Sequence, residues 1–159
     1  MKYRIEKGCK EHLEKVMELW LKLMEEHKKY DPVFFAEVDK NKVNYFNEYV
    51  TDTSDRALFL LYADERIAGF VTAGIENGRY YQYNSKKYCV IGDIMIDENA
   101  RGNGMGKALI EEVKKWSSQL GVDKIELNVF AKNESGCRFF KQIGFQDSFH
   151  TMCLSLGSM

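Results

Sequence analysis

Arg101-Gly102-Asn103-Gly104-Met105-Gly106-Lys107 is the stretch that decides how this 159-residue chain is read. It follows a strand-like run at 88–96 and leads into a helix whose Leu109, Val113, Trp116 and Leu120 share one face. A strand, a basic glycine-rich loop and a helix N-terminus together make a compact holder for a pyrophosphate. Glycines let backbone N–H groups approach the anion closely, and the helix dipole favours negative charge at that end. A phosphate-bearing ligand is expected from this stretch and its flanks.

Upstream of the loop, 57–63 and 67–75 are strand-like and joined at Asp64-Glu65-Arg66, the pattern of a hairpin. Asn77-Gly78 signals a turn, and the tyrosines Tyr80, Tyr81 and Tyr83 extend a strand or line a loop. The chain begins with a short strand near Tyr3. A helix follows whose Leu13, Val16, Met17, Trp20, Leu23, Met24 and His27 lie on one face. Asp31-Pro32 ends it, because proline disfavours helix in the residue before it. A second short helix is expected over 40–50, with Val43, Phe46 and Val50 inward. Downstream, Gly121 stops the loop's helix and 125–130 reads as a strand. Asn133 caps a short helix ending at Gly144, and 145–156 supplies one or two final strands. The order β-α-α-β-β-β-α-β-α-β, without repeats or a linker, predicts a single α/β domain of α+β type over 1–159. Residues 1–55 form its helical N-terminal part and 56–156 its core.

Bulk properties narrow the function. Hydrophobic residues make up 45% and charged residues 30%, the balance of an ordinary soluble globular domain. The formal charge of −1 leaves no electrostatic footprint for nucleic acid or an anionic membrane. No signal peptide or membrane-length apolar run is apparent, so a cytoplasmic location is expected. Cys9, Cys89, Cys137 and Cys153 are widely spaced with no CxxC pair, which argues against zinc and for buried or half-buried free thiols. No metal is expected.

Spacing separates three phosphate-loop readings. A Walker A loop needs GxxxxGK followed by Ser or Thr; here Arg101 stands five before Gly106 and Ala108 follows Lys107. A dinucleotide fingerprint needs GxGxxG, which glycines at 102, 104 and 106 do not supply. The remaining pattern, Arg-x-x-Gly-x-Gly, matches through Arg101, Gly104 and Gly106. With it, the chain resembles the GCN5-related N-acetyltransferase (GNAT) family. The resemblance extends to 91–96, placed as that family's central splayed strand, and to Asn133 with the Phe139–Phe145 run, which is similar to the family's "N…FYxxxGF" segment. It covers roughly 55–156 in order, and the N-terminal strand and helices fit the family's more variable acceptor region.

The resemblance implies a mostly antiparallel mixed sheet flanked by helices, with acetyl-CoA as co-substrate. Gly102, Asn103, Gly104, Met105 and Gly106, with Arg101 and Lys107 beside them, would hold the pyrophosphate. Ile94, Met95 and Ile96 would offer a strand edge to the amide-bearing pantetheine arm, much as an added strand pairs. Asn133 and Phe140 would touch its lower end. A backbone amide near Met95 or Ile96 would polarise the thioester carbonyl.

Acyl transfer to an amine also needs a group to take the ammonium proton. Asp93 is one candidate; its other reading is a strand carboxylate hydrogen-bonded to a loop. Polyamine-acetylating members often have Glu-Asp where this chain has Gly92-Asp93. Many members have tyrosine at the position of Phe140, which cannot donate a proton, so water, Tyr88 or unassisted departure of the thiolate would take its place. His27, Tyr30, Asp31 and Phe34, with Glu25, Glu26 and Phe35, suggest a cation-friendly, aromatic acceptor side; a solvated helix end with core aromatics is the other reading. The acceptor class is a small cationic amine or a peptide amine. An acyl-CoA-binding sensor is the main alternative function, a nucleotide-binding regulatory domain the second. Family members often pair as dimers, so a homodimer is allowed.

Overall fold

The computed structural model describes residues 2–32, 44–52, 54–78, 87–154 and 156. Phe34, Phe35, Tyr80, Tyr81 and Tyr83 lie outside the described residues, as do 40–43 of the expected second helix. The chain divides into two compact units, Met1–Asn128 and Val129–Met159.

In the first unit, five strands form one sheet in chain order: β1 (Tyr3–Lys7), β2 (Arg56–Ala63), β3 (Arg66–Asn77), β4 (Lys87–Ile96) and β5 (Ile125–Leu127). All neighbours are antiparallel except β4 and β5, which run parallel. The fold class is α/β, a mixed sheet flanked by helices. β2 and β3 are buried along most of their length because helices cover both faces. On one face α1 (Leu13–Tyr30) packs Val16 and Leu19 against Leu58, Leu60 and Phe70, with Phe46 filling the same cluster. On the other, α3 (Met105–Gln119) brings Trp116 edge-on to Phe59. The β2–β3 hairpin turns through Asp64 and Glu65, both at positive φ, as a two-residue turn of matching twist requires. Gly121, at φ +74, ends the turn after α3 as expected.

Three expectations change. The second helix is shorter than 40–50: a tight turn at Tyr45–Asn47 leads into α2 (Glu48–Thr51), with Phe46 inward. β5 is only Ile125–Leu127, because its ladder with β4 ends at Ile91–Leu127, where β4 bulges. The second unit holds α4 (Glu134–Gln142), and residues 145–154 form no strand. Met152, Leu154 and Leu156 alternate as a strand would, yet all are exposed. Alternation assigns side chains to a face; only a ladder partner makes a strand.

Candidate active site

The bulge in β4 organises the site. Val71 pairs with Ile94 and Ala73 with Ile91, so the single residue Thr72 faces both Gly92 and Asp93. Such an extra residue bends the strand and re-aims its side chains. The Asp93 N–H donates to Thr72 Oγ1 at 2.9 Å, and the Asp97 N–H to the Ala68 carbonyl at 2.7 Å. Alternation between these two bonds turns the Met95 N–H toward Phe70 on β3 and the N–H groups of Ile94 and Ile96 to the opposite edge. That edge has no β5 partner beyond Ile91 among the described residues. Of the three residues expected to face the edge, Met95 therefore does not: its amide belongs to the β3 ladder and its side chain to the core cluster.

The edge runs straight into the glycine loop. Asp97 caps the turn Glu98–Ala100 by accepting from the Asn99 N–H, and Lys22 of α1 donates to its other oxygen at 3.1 Å. These bonds hold the Asp97 carboxyl below the usual carboxylate range. Arg101 Nε donates to the Ile96 carbonyl at 2.9 Å, which seats the guanidinium at the end of the strand edge. Asn103 Nδ2 braces the loop on the Arg101 carbonyl at 3.2 Å. Gly102 and Gly104 stand at φ +80 and +73, and a Cβ on either would meet nothing within 4 Å. Gly104 is the N-cap of α3 and brings no side chain to cap it. The first-turn N–H groups of Met105, Gly106 and Lys107 have no acceptor among the described residues. An anion is what such a helix start accommodates.

On the α1 face of β4 the bulge gathers a polar cluster that sequence reading missed. Asp93 is partly buried, and loss of solvent raises its pKa; the nearby Tyr45 hydroxyl and Trp20 indole N–H work against that rise. Trp20 Nε1 is itself buried without a partner at bonding geometry, close to Asp93 but not bonded to it. The Tyr45 and Tyr49 hydroxyls lie 3.1 Å apart, and Thr72, fully buried, faces both. Burial pushes both phenol pKa values up, so both hydroxyls keep their protons. Gly92 makes this packing possible: a Cβ there would stand 2.6 Å from the Tyr45 hydroxyl and 2.8 Å from Thr72 Oγ1. The sequence signals were Trp20 on the inward face of α1 and Tyr45 and Tyr49 one helical turn apart; nothing local tied them to position 92.

The other anticipated residues are dispersed. His27 and Asp31 end α1, where the Asp31 N–H donates to the His27 carbonyl at 3.1 Å, and burial lowers the imidazole pKa. Tyr30 is the last residue of α1. Glu25 and Glu26 pair with Lys28 and Lys29 of the same helix at 2.7 and 2.6 Å, so their charge is met locally rather than offered to a ligand. Tyr88 pairs with Glu76 and lies six residues before Ile94, about 20 Å along the strand. That distance removes it as a proton donor near Ile94. Cys89 is buried, which lifts its thiol to about 12, whereas Cys9 and Cys153 are exposed, against expectation. His12, without an evident partner in sequence, has Nδ1 3.2 Å from Cys9 Sγ and Nε2 3.3 Å from the Tyr62 hydroxyl. In the second unit, Asn133 Oδ1 accepts from the Gly136 N–H at 3.0 Å and caps α4. Phe140 packs against Phe139 and Phe145, with ring centroids 5.1 and 5.7 Å away. Among the described residues, no group of three or more His, Cys, Asp or Glu is placed to hold a metal, and no helix is long and apolar enough to cross a membrane.

Comparison with known proteins adds an independent finding. The family described as acetyltransferase (GNAT) matches residues 16–145. An N-acetyltransferase of Methanocaldococcus jannaschii, itself uncharacterised, is 22% identical over 145 residues, covering 91% of this chain and 61% of that protein. The chain spans only 61% and 53% of the lengths of the first two curated relatives it matches. Among solved structures, a tetramutant of the BH1408 protein of Bacillus halodurans has a TM-score of 0.85 at 25% identity, over 96% of this chain and 99% of that one. The aminoglycoside N-acetyltransferase AAC(6')-Iy, solved with the bisubstrate analogue CoA-S-monomethyl-acetylneamine, shares the fold with a TM-score of 0.75 at 20% identity, over 99% and 100% of the two chains.

Proposed function

The chain belongs to the acetyltransferase (GNAT) family, and from that premise we propose that it transfers the acetyl group of acetyl-CoA to a primary amine by direct attack. One observation carries the reading: the edge of β4 at Ile94 and Ile96, which has no strand partner among the described residues, leads through Arg101 into an uncapped helix start. A ligand with amides at one end and a pyrophosphate at the other fits that sequence of groups. The edge pairs with the amides. The first-turn N–H groups of α3, with Arg101 and Lys107, take the phosphates.

The edge N–H of Ile94, beside the bulge, polarises the thioester carbonyl in place of the Met95 amide. Asp93 takes one proton from the acceptor's ammonium. The neutral nitrogen then attacks the carbonyl carbon; the C–N bond forms, the C–S bond breaks, and the departing sulfur takes up the second proton shed by nitrogen. No proton from Phe140 is required. The acceptor is a small cationic amine or a peptide amine, since Asp93 with the Trp20 and Tyr45 rings suits an ammonium. The same reading places the protein in the cytoplasm and allows a homodimer.

A second reading, an acyl-CoA-binding sensor, is favoured by Phe140 and Gly92, which replace groups that some family members use. Release of free thiol from acetyl-CoA across an amine panel decides between them. Amine-dependent thiol release supports transfer. Thermal stabilisation by acetyl-CoA with no thiol above background for any amine overturns transfer in favour of the sensor. Stabilisation by ATP or NAD and none by CoA overturns both.

A further inference from the structure

We propose that Cys9 is a modification site: a thiol with His12 as its base, which attacks a low-molecular-weight disulfide and forms a mixed disulfide with half of it. The site lies where β1 passes into α1 and does not depend on the acetyltransferase reading. Cys9 is exposed and extended, at φ −135 and ψ 178, immediately before the turn Lys10–His12 that leads into α1. The Gly8 N–H donates to the Leu58 carbonyl at 2.7 Å and anchors this end of the strand on β2. His12 Nδ1 stands 3.2 Å from Cys9 Sγ and 3.1 Å from the Cys9 amide nitrogen, whose N–H donates to it. A backbone N–H only donates, so Nδ1 is the acceptor nitrogen of the ring and the proton of the neutral imidazole sits on Nε2. Nε2 accordingly donates to the Tyr62 hydroxyl at 3.3 Å. The Arg4 guanidinium, 4.0 Å above the Tyr62 ring, holds that residue in turn. An exposed thiol, an imidazole lone pair beside it and a hydroxyl that fixes the tautomer are the parts of an activated nucleophile.

The other thiols lack this arrangement. Cys89 is buried, with its thiol lifted to about 12, so a reagent neither reaches nor finds it ionised. Cys137 is half-buried, and its Sγ donates to the Phe130 carbonyl at 3.5 Å. Cys153 is exposed like Cys9, but among the described residues no base bonds its sulfur. In the reaction the Cys9 thiol proton passes to His12 Nδ1, and Sγ attacks one sulfur of the disulfide. The S–S bond of the reagent breaks as the S–S bond to Cys9 forms, and the departing sulfur takes the proton back from Nδ1. The disulfide is the oxidant: one of its halves leaves as a free thiol while Cys9 is oxidised. Negative charge that develops on Sγ falls at the N-terminal end of an 18-residue helix, where the dipole is positive.

The test uses the full, reduced chain and oxidised glutathione as the probe, with the labelled cysteine located and timed by peptide mass mapping. Cys9 should be labelled about tenfold or more faster than Cys153, which serves as the exposed thiol without a base. His12→Gln is the informative variant. A glutamine three residues after the cap still accepts from the Cys9 N–H but takes no proton, so it keeps the turn and removes the base. In that variant Cys9 labelling should slow about tenfold or more, to the rate of Cys153, with the circular dichroism spectrum and melting temperature unchanged. Equal rates at Cys9 and Cys153 in the parent overturn the proposal, and so does an undiminished Cys9 rate in His12→Gln. If His12→Gln does not fold, Tyr62→Phe, which takes away the acceptor of the Nε2 proton, must lower the ratio of Cys9 to Cys153 labelling by a smaller factor. An unchanged ratio is again a refutation. None of these readouts requires turnover of acetyl-CoA.

Discussion

At Gly92 a single methyl group has nowhere to go. Gly92→Ala places a carbon within 2.6 Å of the Tyr45 hydroxyl and 2.8 Å of Thr72 Oγ1. Overpacking of this kind costs about 1–3 kcal/mol, so chemical denaturation should show that loss, accompanied by a larger fall in turnover than in CoA affinity. Gly104 presents the opposite case. A side chain there meets nothing within 4 Å, and its only internal cost is the positive φ, about 1–2 kcal/mol. Gly104→Val is therefore expected to stay folded by circular dichroism while CoA binding is lost in calorimetry; retained affinity would overturn the placement of the pyrophosphate. The glycine loop was legible in sequence because its information is local: φ values, backbone amides and a helix start within a few residues. The Asp93 cluster was not, because Trp20, Tyr45, Thr72 and Gly92 come from four separate segments and meet only when the sheet and α1 pack.

At the scale of elements, the hairpin between β2 and β3 carries a local conflict. Asp64 and Glu65 are held at φ 47 and 65, a region that suits Asn-Gly far better. Replacing the pair by Asn-Gly should raise stability by about 1 kcal/mol, since the Arg4–Glu65 ion pair that is lost is exposed and worth little. An unchanged denaturation midpoint would show that the turn relaxes in solution. Asn133→Ala removes the cap of α4 and should cost about 1 kcal/mol, visible as reduced helicity and a lower midpoint. Most elements could be read from periodicity: α1, the hairpin, β4 and α3 fall where apolar spacing put them. β5 and the expected strands over 145–156 were overestimated. A strand's length is set by how far its neighbour stays in register, and no window of one sequence contains that neighbour.

For the whole molecule, Asp93 sets a conflict between stability and chemistry. Its folded-state pKa is raised by burial, so its contribution is fully present below the unfolded carboxylate value and is lost as pH rises through the folded value. Wherever pH ionises it, the group therefore weakens the fold that it serves. Asp93→Asn should melt at a higher temperature than the parent at pH 7, and the difference should shrink as pH falls through the carboxylate range. A gain of equal size at every pH would mean that ionisation is not its source. Asp97 runs the other way: Lys22 and the Asn99 N–H depress its pKa, so the stability it adds is present above the unfolded value and lost on acidification. The sequence alone settled the fold class and raised the expectation of a phosphate-bearing ligand, because strand and helix periods and a glycine loop are encoded by neighbours along the chain. Only the tertiary structure decided which β4 amides face the open edge, through the bulge that resets their alternation. It alone also brought the Tyr45 hydroxyl and Thr72 against Gly92 and showed why residue 92 is glycine, since those contacts exist only between segments that packing, and not the chain, makes adjacent.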